Sequence, residues 1–329
     1  MKKFHNGIDR FLADSLTGFA VAHADLVRVQ LEPAYIIRQQ ITAGKVALIS
    51  GGGSGHEPMH GGFVGRGMLD AACPGQVFTS PTPDQMIAAA TAAHSGAGVL
   101  FIVKNYSGDR MNFEMASEFA DFENATIMIN DDVAIENAAH TTGRRGVAGT
   151  VIVEKIVGSL AESGANLETC RLMGEKVSAR IASMGVALTS CTVPAAGRPT
   201  FEIGEDEMEV GVGIHGESGR RRAKITDSSQ IVHELIGVIL ENLKPDQGTE
   251  VLLLVNGLGS TPLSELYLVF NDARLELEQA GMVLARSLVG NYTTALDMAG
   301  MSLTVCLLDE ELKYHWDTPV QTAALRWGV

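Results

Sequence analysis

The chain has 329 residues, enough for two ordinary domains with separate cores, and at 46% hydrophobic and 19% charged it has the composition of a soluble globular protein. With 25 Lys plus Arg against 39 Asp plus Glu, its net charge of -14 argues against nucleic acid or an anionic membrane as partner. The start MKKFHNGIDRF has no apolar core behind its lysines, and no run approaches the ~20 apolar residues of a membrane span, so the expected address is the cytoplasm.

Residues 1–44 read as helical and polar. In Lys45–His60, KVALISGGGSGHEPMH, the run Val46–Ile49 predicts a buried strand. The glycines after it predict a sharp loop or a close approach to a ligand, and Pro58 suits the first turn of a helix. Met68–Cys73 predicts a strand closed by Pro74-Gly75, and Pro83 opens an alanine-rich helix ended by Gly96. Val99–Lys104 reads as a continuous apolar strand followed by the loop Asn105–Asp109. Met111–Phe122 then reads as a helix and Thr126–Asn130 as a strand, with Asp131-Asp132 just beyond. Such βαβ units imply a mostly parallel sheet buried on both faces.

Further on, Thr150–Ser163 and Leu167–Met184 read as helices, and Met208–His215 alternates like a strand with one buried face. Arg220–Lys224 reads as a polar connector. Helices are expected over Ser228–Leu243 and Pro262–Ala280, and strands over Val251–Val255, Val283–Leu288 and Leu303–Leu308. The expected fold class is α/β, with two α/β domains whose largely parallel or mixed sheets are flanked by helices. The first, 1–187, holds the glycine loop and the Lys104–Asp109 loop. The second, 188–329, carries His215, with the extreme C-terminus packing back on the first.

Gly51–His56, Asn105–Asp109 and Asp131-Asp132 each follow a predicted strand, so they are expected on one sheet edge, where open α/β sheets bind ligands. His56 to His60 matches HExxH, but Pro58 between the histidines prevents one helix from presenting both, which argues against a metal site. No Gly-Lys-Ser/Thr ends the glycine loop, and His56 replaces the last glycine of a dinucleotide fingerprint. By alternation His215 lies opposite Val210, Val212 and Ile214, beside Gly211 and Gly213. His5, His23, His94, His140, His233 and His315 read as structural or solvated. Glu205, Asp206, Glu207 and Glu209 read as a solvated acidic turn. Arg144-Arg145 fits a phosphate or partner contact and a capped helix end equally well. The widely spaced Cys73, Cys170, Cys191 and Cys306 are expected as buried, reduced thiols.

Together GGGSGHEPMH, FTSPTPDQ, KNYSGD, TTGRRGVAGT, CTVPAAG, GVGIHGESG, LGSTPLSELY and the closing WDTPV–WGV resemble the dihydroxyacetone kinase family, specifically its substrate-binding K subunit, along essentially the whole chain. The resemblance implies that His215 adds to the ketone carbonyl and holds dihydroxyacetone as a covalent hemiaminal, which excludes glycerol chemically. It implies that His56 acts as general base on the receiving hydroxyl and that Asp109 hydrogen-bonds the substrate hydroxyl and helps orient or deprotonate it. Gly53, Ser54, Gly55 and Lys104 match family substrate-binding positions. No cofactor is expected on this chain. The resemblance places ADP or ATP with Mg²⁺ on a separate L subunit, recharged from phosphoenolpyruvate through an M subunit in the phosphotransferase-linked type that a lone K chain favours. A homodimer is implied as well. Ser218 stands where a proline is common, and the stretch from His215 to Val251 is shorter than in many members. Two other functions stay open at this point: a ketone-sensing co-activator of a transcription regulator, and a kinase for another short ketose such as erythrulose.

Overall fold

In the computed structural model, which describes residues 2–135 and 143–329, Val46–Ile49 is fully buried, as a strand covered on both faces must be. In chain order the elements begin with α1 (Phe11–Ala22), β1 (Val27–Leu31), β2 (Ala34–Arg38) and β3 (Ala47–Ser54). After a single 3-10 turn, Gly61–Phe63, come β4 (Gly65–Arg66), β5 (Ala71–Val77), α2 (Pro83–Ala93), β6 (Val99–Lys104), α3 (Ser107–Phe119) and β7 (Asn124–Ile129). There follow α4 (Gly149–Glu162), α5 (Leu167–Ser178), β8 (Ile181–Ala187), β9 (Glu207–Val210), β10 (Arg221–Lys224) and α6 (Ser228–Leu243). The chain closes with β11 (Glu250–Gly257), α7 (Leu263–Gln279), β12 (Val283–Gly290), β13 (Gly300–Leu307), α8 (Glu310–Asp317), β14 (Val320–Thr322) and β15 (Arg326–Trp327).

The residues gather into two units interleaved along the chain. One takes the residues up to Ile129, Val151–Lys176 and Tyr314–Val329, and the other the described residues of Asn130–Thr150 and Val177–Lys313. The sequence expectation drew a single cut at 187/188. The difference has a physical cause, because β8 pairs antiparallel with β13 and so belongs to the second sheet.

In the first unit the sheet order is β1-β2-β5-β3-β6-β7, with β5, β3, β6 and β7 parallel and β1 and β2 antiparallel. Met86, Ala89, Ala90 and Ala93 of α2, with Phe113 and Ala116 of α3, bury against Ala47, Ile49, Phe101 and Val103 of the sheet. Each large side chain among them contributes about 1.5–3 kcal/mol by leaving water. α2 starts where the sequence places it, because Pro83 needs no N–H there and the Gln85 side chain accepts the Thr82 N–H at 2.9 Å. A small sheet, β15-β14-β4, ties the chain end to the same unit. Lys155 of α4 donates to His315 O at 2.8 Å and lies over the Trp327 ring.

In the second unit the order is β10-β9-β8-β13-β11-β12, and only β11 and β12 run parallel. One core unites α6 (Val232, Leu235, Ile239) and α7 (Leu266, Ala273, Leu277) with Met184, Val186, Leu253, Val255 and Leu303 of the sheet. Both units are thus mixed sheets flanked by helices, as the sequence leads one to expect.

Several local expectations fail. The polar N-terminal segment holds a hairpin, β1-β2, as well as a helix, and residues 181–187 leave the predicted helix for a strand. β5 continues through Pro74-Gly75. β3 continues through the glycines to Ser54, and turns rather than a helix follow Pro58. Glu209, expected in solvent, is buried on β9 and accepts the Gly219 N–H at 2.8 Å. All four cysteines are buried and free. Among the described residues no helix is long and apolar enough to cross a membrane.

Candidate active site

The glycines of β3 serve close approach. Gly51 and Gly53 lie opposite Cys73 and Gly75 of parallel β5. A Cβ on Gly51 would come 2.7 Å from Cys73 O, and one on Gly53 would come 2.6 Å from Thr79 N. A Cβ on Gly52 would overlap the Lys104 ammonium. Ser54 donates to Gly75 O at 2.7 Å, and Gly55 turns the chain at φ 102°. His56 follows, buried and stacked on Phe78 with ring centroids 5.0 Å apart.

Lys104 ends β6, the parallel neighbour of β3, and is buried. Its Nζ donates to Gly51 O at 3.1 Å, meets His60 Nε2 at 2.7 Å, and lies 3.7 Å from Asp109 Oδ2. Asp109 is itself buried in the first turn of α3, which starts at Ser107 inside the predicted loop. His60 Nδ1 in turn lies 2.6 Å from Glu154 Oε1 on α4. Burial pushes Glu154 up to about 8 against the opposing Lys104 charge. Burial also lowers Lys104, against the charges of Asp109 and Glu154, and lowers His60 with help from the charges of Lys104 and His56. Parallel strand ends therefore bring Gly53, Ser54, Gly55, His56, Lys104 and Asp109 to one edge of the first sheet. Glu154 was missed by sequence reasoning, although a lone glutamate inside the apolar run TVIVEKIVG was a signal for it.

Asp131 and Asp132 do not join that edge; they bind within the second unit. Asp131 accepts the N–H groups of Val147 and Gly149 at 2.8 Å, capping the start of α4, and the hydroxyl of Ser183 at 2.5 Å. Asp132 pairs with Arg145 at 2.7 Å, and Arg145 also donates to Gly211 O at 2.8 Å. The arginine left open between a phosphate contact and a cap is thus committed to an internal ion pair. His140, and Thr141 and Thr142 of the TTGRRGVAGT motif, lie outside the described residues.

His215 is not at a strand end. β9 stops at Val210 because Gly211 adopts φ 82°, and the segment to Gly219 folds into turns. Within them Glu217 takes both the backbone N–H of His215 and its ring Nδ1 at 2.9 Å. Burial favours the neutral Glu217 acid, but the His215 hydrogen bond, the His215 charge and Arg145 outweigh it and hold the carboxyl down at about 2. A side chain on Gly213 would overlap Glu217, so the glycine makes room for the carboxylate. The His215 side chain remains 22% exposed.

The comparisons agree with the motifs. Residues 17–324 match the Dak1 domain. Over 314 residues the chain is 51% identical to the PTS-dependent dihydroxyacetone kinase 1, dihydroxyacetone-binding subunit DhaK, of Listeria innocua, covering 94% of this chain and 95% of that protein. Among solved structures, the native dihydroxyacetone kinase of C. freundii is similar at TM-score 0.88 and 33% identity, covering 99% of this chain and 60% of that one. The dihydroxyacetone kinase operon co-activator Dha-DhaQ is similar at TM-score 0.90 and 33% identity, covering 94% of this chain and 97% of that one.

Proposed function

The chain belongs to the Dak1 family, in its PTS-linked DhaK branch, and from that premise we propose that it binds dihydroxyacetone covalently on His215 and presents it for phosphorylation. The observation that carries this reading is the Glu217 carboxylate at His215 Nδ1. A carboxylate there selects the tautomer with the proton on Nδ1 and leaves the Nε2 lone pair for the carbonyl carbon. As the C–N bond forms, the C=O π bond opens and the oxygen takes a proton from a water molecule, while the Nδ1 proton, leaving by way of Glu217, neutralises the hydroxide so formed. The product is a neutral hemiaminal. Glycerol has no carbonyl and cannot form it.

With the carbonyl fixed, a terminal hydroxyl of the substrate is the phosphoryl acceptor. His56 takes its proton, and Asp109 orients it by hydrogen bonding. Lys104 offsets negative charge where the phosphoryl group arrives, which suits a transfer that depends on positioning and electrostatics. The donor is the nucleotide with Mg²⁺ on an L subunit, recharged from phosphoenolpyruvate through an M subunit. The protein works in the cytoplasm as a homodimer.

Incubation with dihydroxyacetone followed by intact-mass and crystallographic analysis should place an adduct on His215. His215→Ala should abolish it, while His56→Ala should keep it and lose turnover in an assay coupled to L and M subunits. An adduct surviving in His215→Ala overturns the assignment. The similarity to the Dha-DhaQ co-activator favours a second reading, a ketone sensor that uses the same histidine. Adduct formation without product, under ATP or phosphoenolpyruvate and with any short ketose, would support the sensor.

A further inference from the structure

We propose that Glu154 and His60 are positioning residues that fix Lys104 as an ammonium ion and aim its one uncommitted N–H at Asp109 and the phosphoryl acceptor. The inference rests on the reading above for the acceptor, but its geometry stands by itself. Three polar atoms surround Lys104 Nζ: Gly51 O at 3.1 Å, His60 Nε2 at 2.7 Å and Asp109 Oδ2 at 3.7 Å. An ammonium supplies three N–H groups, one for each of these partners, whereas a neutral amine supplies two and would take the His60 Nε2 proton on its lone pair. In the ammonium form His60 Nε2 accepts, which places the imidazole proton on Nδ1 and directs it to the ionised Glu154 carboxylate at 2.6 Å. The chain of donors runs one way, from Lys104 through His60 to Glu154.

Every member is buried: Lys104 and Glu154 are 1% and 0% exposed and His60 6%. The charged and titratable groups facing the cluster are Asp109 from α3, Glu154 from α4, and His56 and His60 from the segment after β3. Two carboxylates thus face one ammonium, Asp109 beside the reacting hydroxyl and Glu154 behind the imidazole. Without Glu154 a buried cation depends on Asp109 alone, and Asp109 is then drawn towards Lys104 and away from the substrate. Gly52 completes the arrangement by leaving room for Nζ.

The test uses the full chain and two independent readouts. Imidazole ¹⁵N spectra, with His60 assigned by its loss in His60→Gln, should show Nδ1 protonated and Nε2 bare at pH 8.5, above the value of about 8 to which burial pushes Glu154. An Nε2–H tautomer or an imidazolium there overturns the proposal. In the coupled assay, Glu154→Gln keeps a group that accepts the Nδ1 proton but removes the charge. Its thermal unfolding should stay close to the parent, its kcat should fall about tenfold or more at pH 8.5 with KM little changed, and the loss should shrink as pH is lowered because Lys104 regains its proton. A kcat–pH profile of unchanged shape overturns the proposal, since a purely structural role would not move its alkaline limb. If the parent chain shows no turnover, the kinase reading fails, and the ¹⁵N spectra still decide the relay.

Discussion

Glu217 Oε1 lies 2.9 Å from Nδ1 of His215 while its Oε2 takes the backbone N–H of the same residue, also at 2.9 Å. One carboxylate thereby fixes a histidine at two points, and Arg145 and Asp132 behind it form a second buried ion pair. A single turn held in this way sets the ring orientation of His215 by the protein rather than by the ligand.

Glu217→Gln should therefore weaken ketone capture more than folding. A hydrogen bond to a charged group contributes about 1.5–3 kcal/mol, which corresponds to roughly 10–100-fold in the apparent dissociation constant for dihydroxyacetone. Calorimetric titration with dihydroxyacetone measures it, with glycerol as the non-binding control. Parent-like affinity would mean that the tautomer needs no carboxylate.

Acid should unfold the second unit partly through the same group. Glu217 is held at about 2 in the folded chain against an ordinary glutamate value of 4.5. A carboxyl lowered on folding contributes stability that is fully present above about pH 4.5 and disappears as pH falls towards 2. Thermal unfolding followed from pH 6 down to pH 3 should show a steep drop below pH 4.5, shallower in Glu217→Gln. Equal slopes would assign the acid sensitivity to other carboxylates.

How much of this was legible in the sequence depended on burial pattern. β6 and α6 coincide with their predicted ranges because a continuous apolar run and a capped, periodic segment each have one structural solution. β8, a fully buried IASMGVA, shows no alternation and was absorbed into the helix before it. The glycines of β3 look like a loop because glycine disfavours strands, and only the approach of Cys73, Phe78 and Lys104 explains them. His56, Lys104 and Asp109 were legible as polar residues after strands. Glu217 and Glu154 act through other side chains, and no spacing rule brings residue 60 to residue 154.

The Lys155 contacts make the chain end a separate test of packing. Lys155 is pushed down to about 8 by burial, opposed by the Asp317 charge, from the ordinary lysine value of 10.5. Because its folded value lies below the unfolded one, charging it costs stability that is fully present below pH 8 and relieved as pH rises towards 10.5. Stability at the β14–β15 end should thus rise slightly between these pH values. Hydrogen exchange at Val320, corrected for its intrinsic pH dependence, reads that change, and it should vanish in Lys155→Met.

The sharpest separation of fold from function lies in two adjacent glycines. An added methyl at Gly51 meets Cys73 O at 2.7 Å and Cys73 Cβ at 3.0 Å, both held in the paired strand β5, so something in the sheet must move. Overpacking of that kind costs about 1–3 kcal/mol, and Gly51→Ala should lower the melting temperature by several degrees. At Gly52 the methyl meets the end of the Lys104 side chain instead, so the ammonium rather than the paired strand must shift. Gly52→Ala should therefore lower the melting temperature only as far as the displaced Lys104 ammonium loses its partners, and lose at least roughly tenfold in kcat because the ammonium no longer stands where charge develops. Paired melting curves and coupled assays check both. A Gly52→Ala chain with full turnover would show that the acceptor hydroxyl does not depend on Lys104.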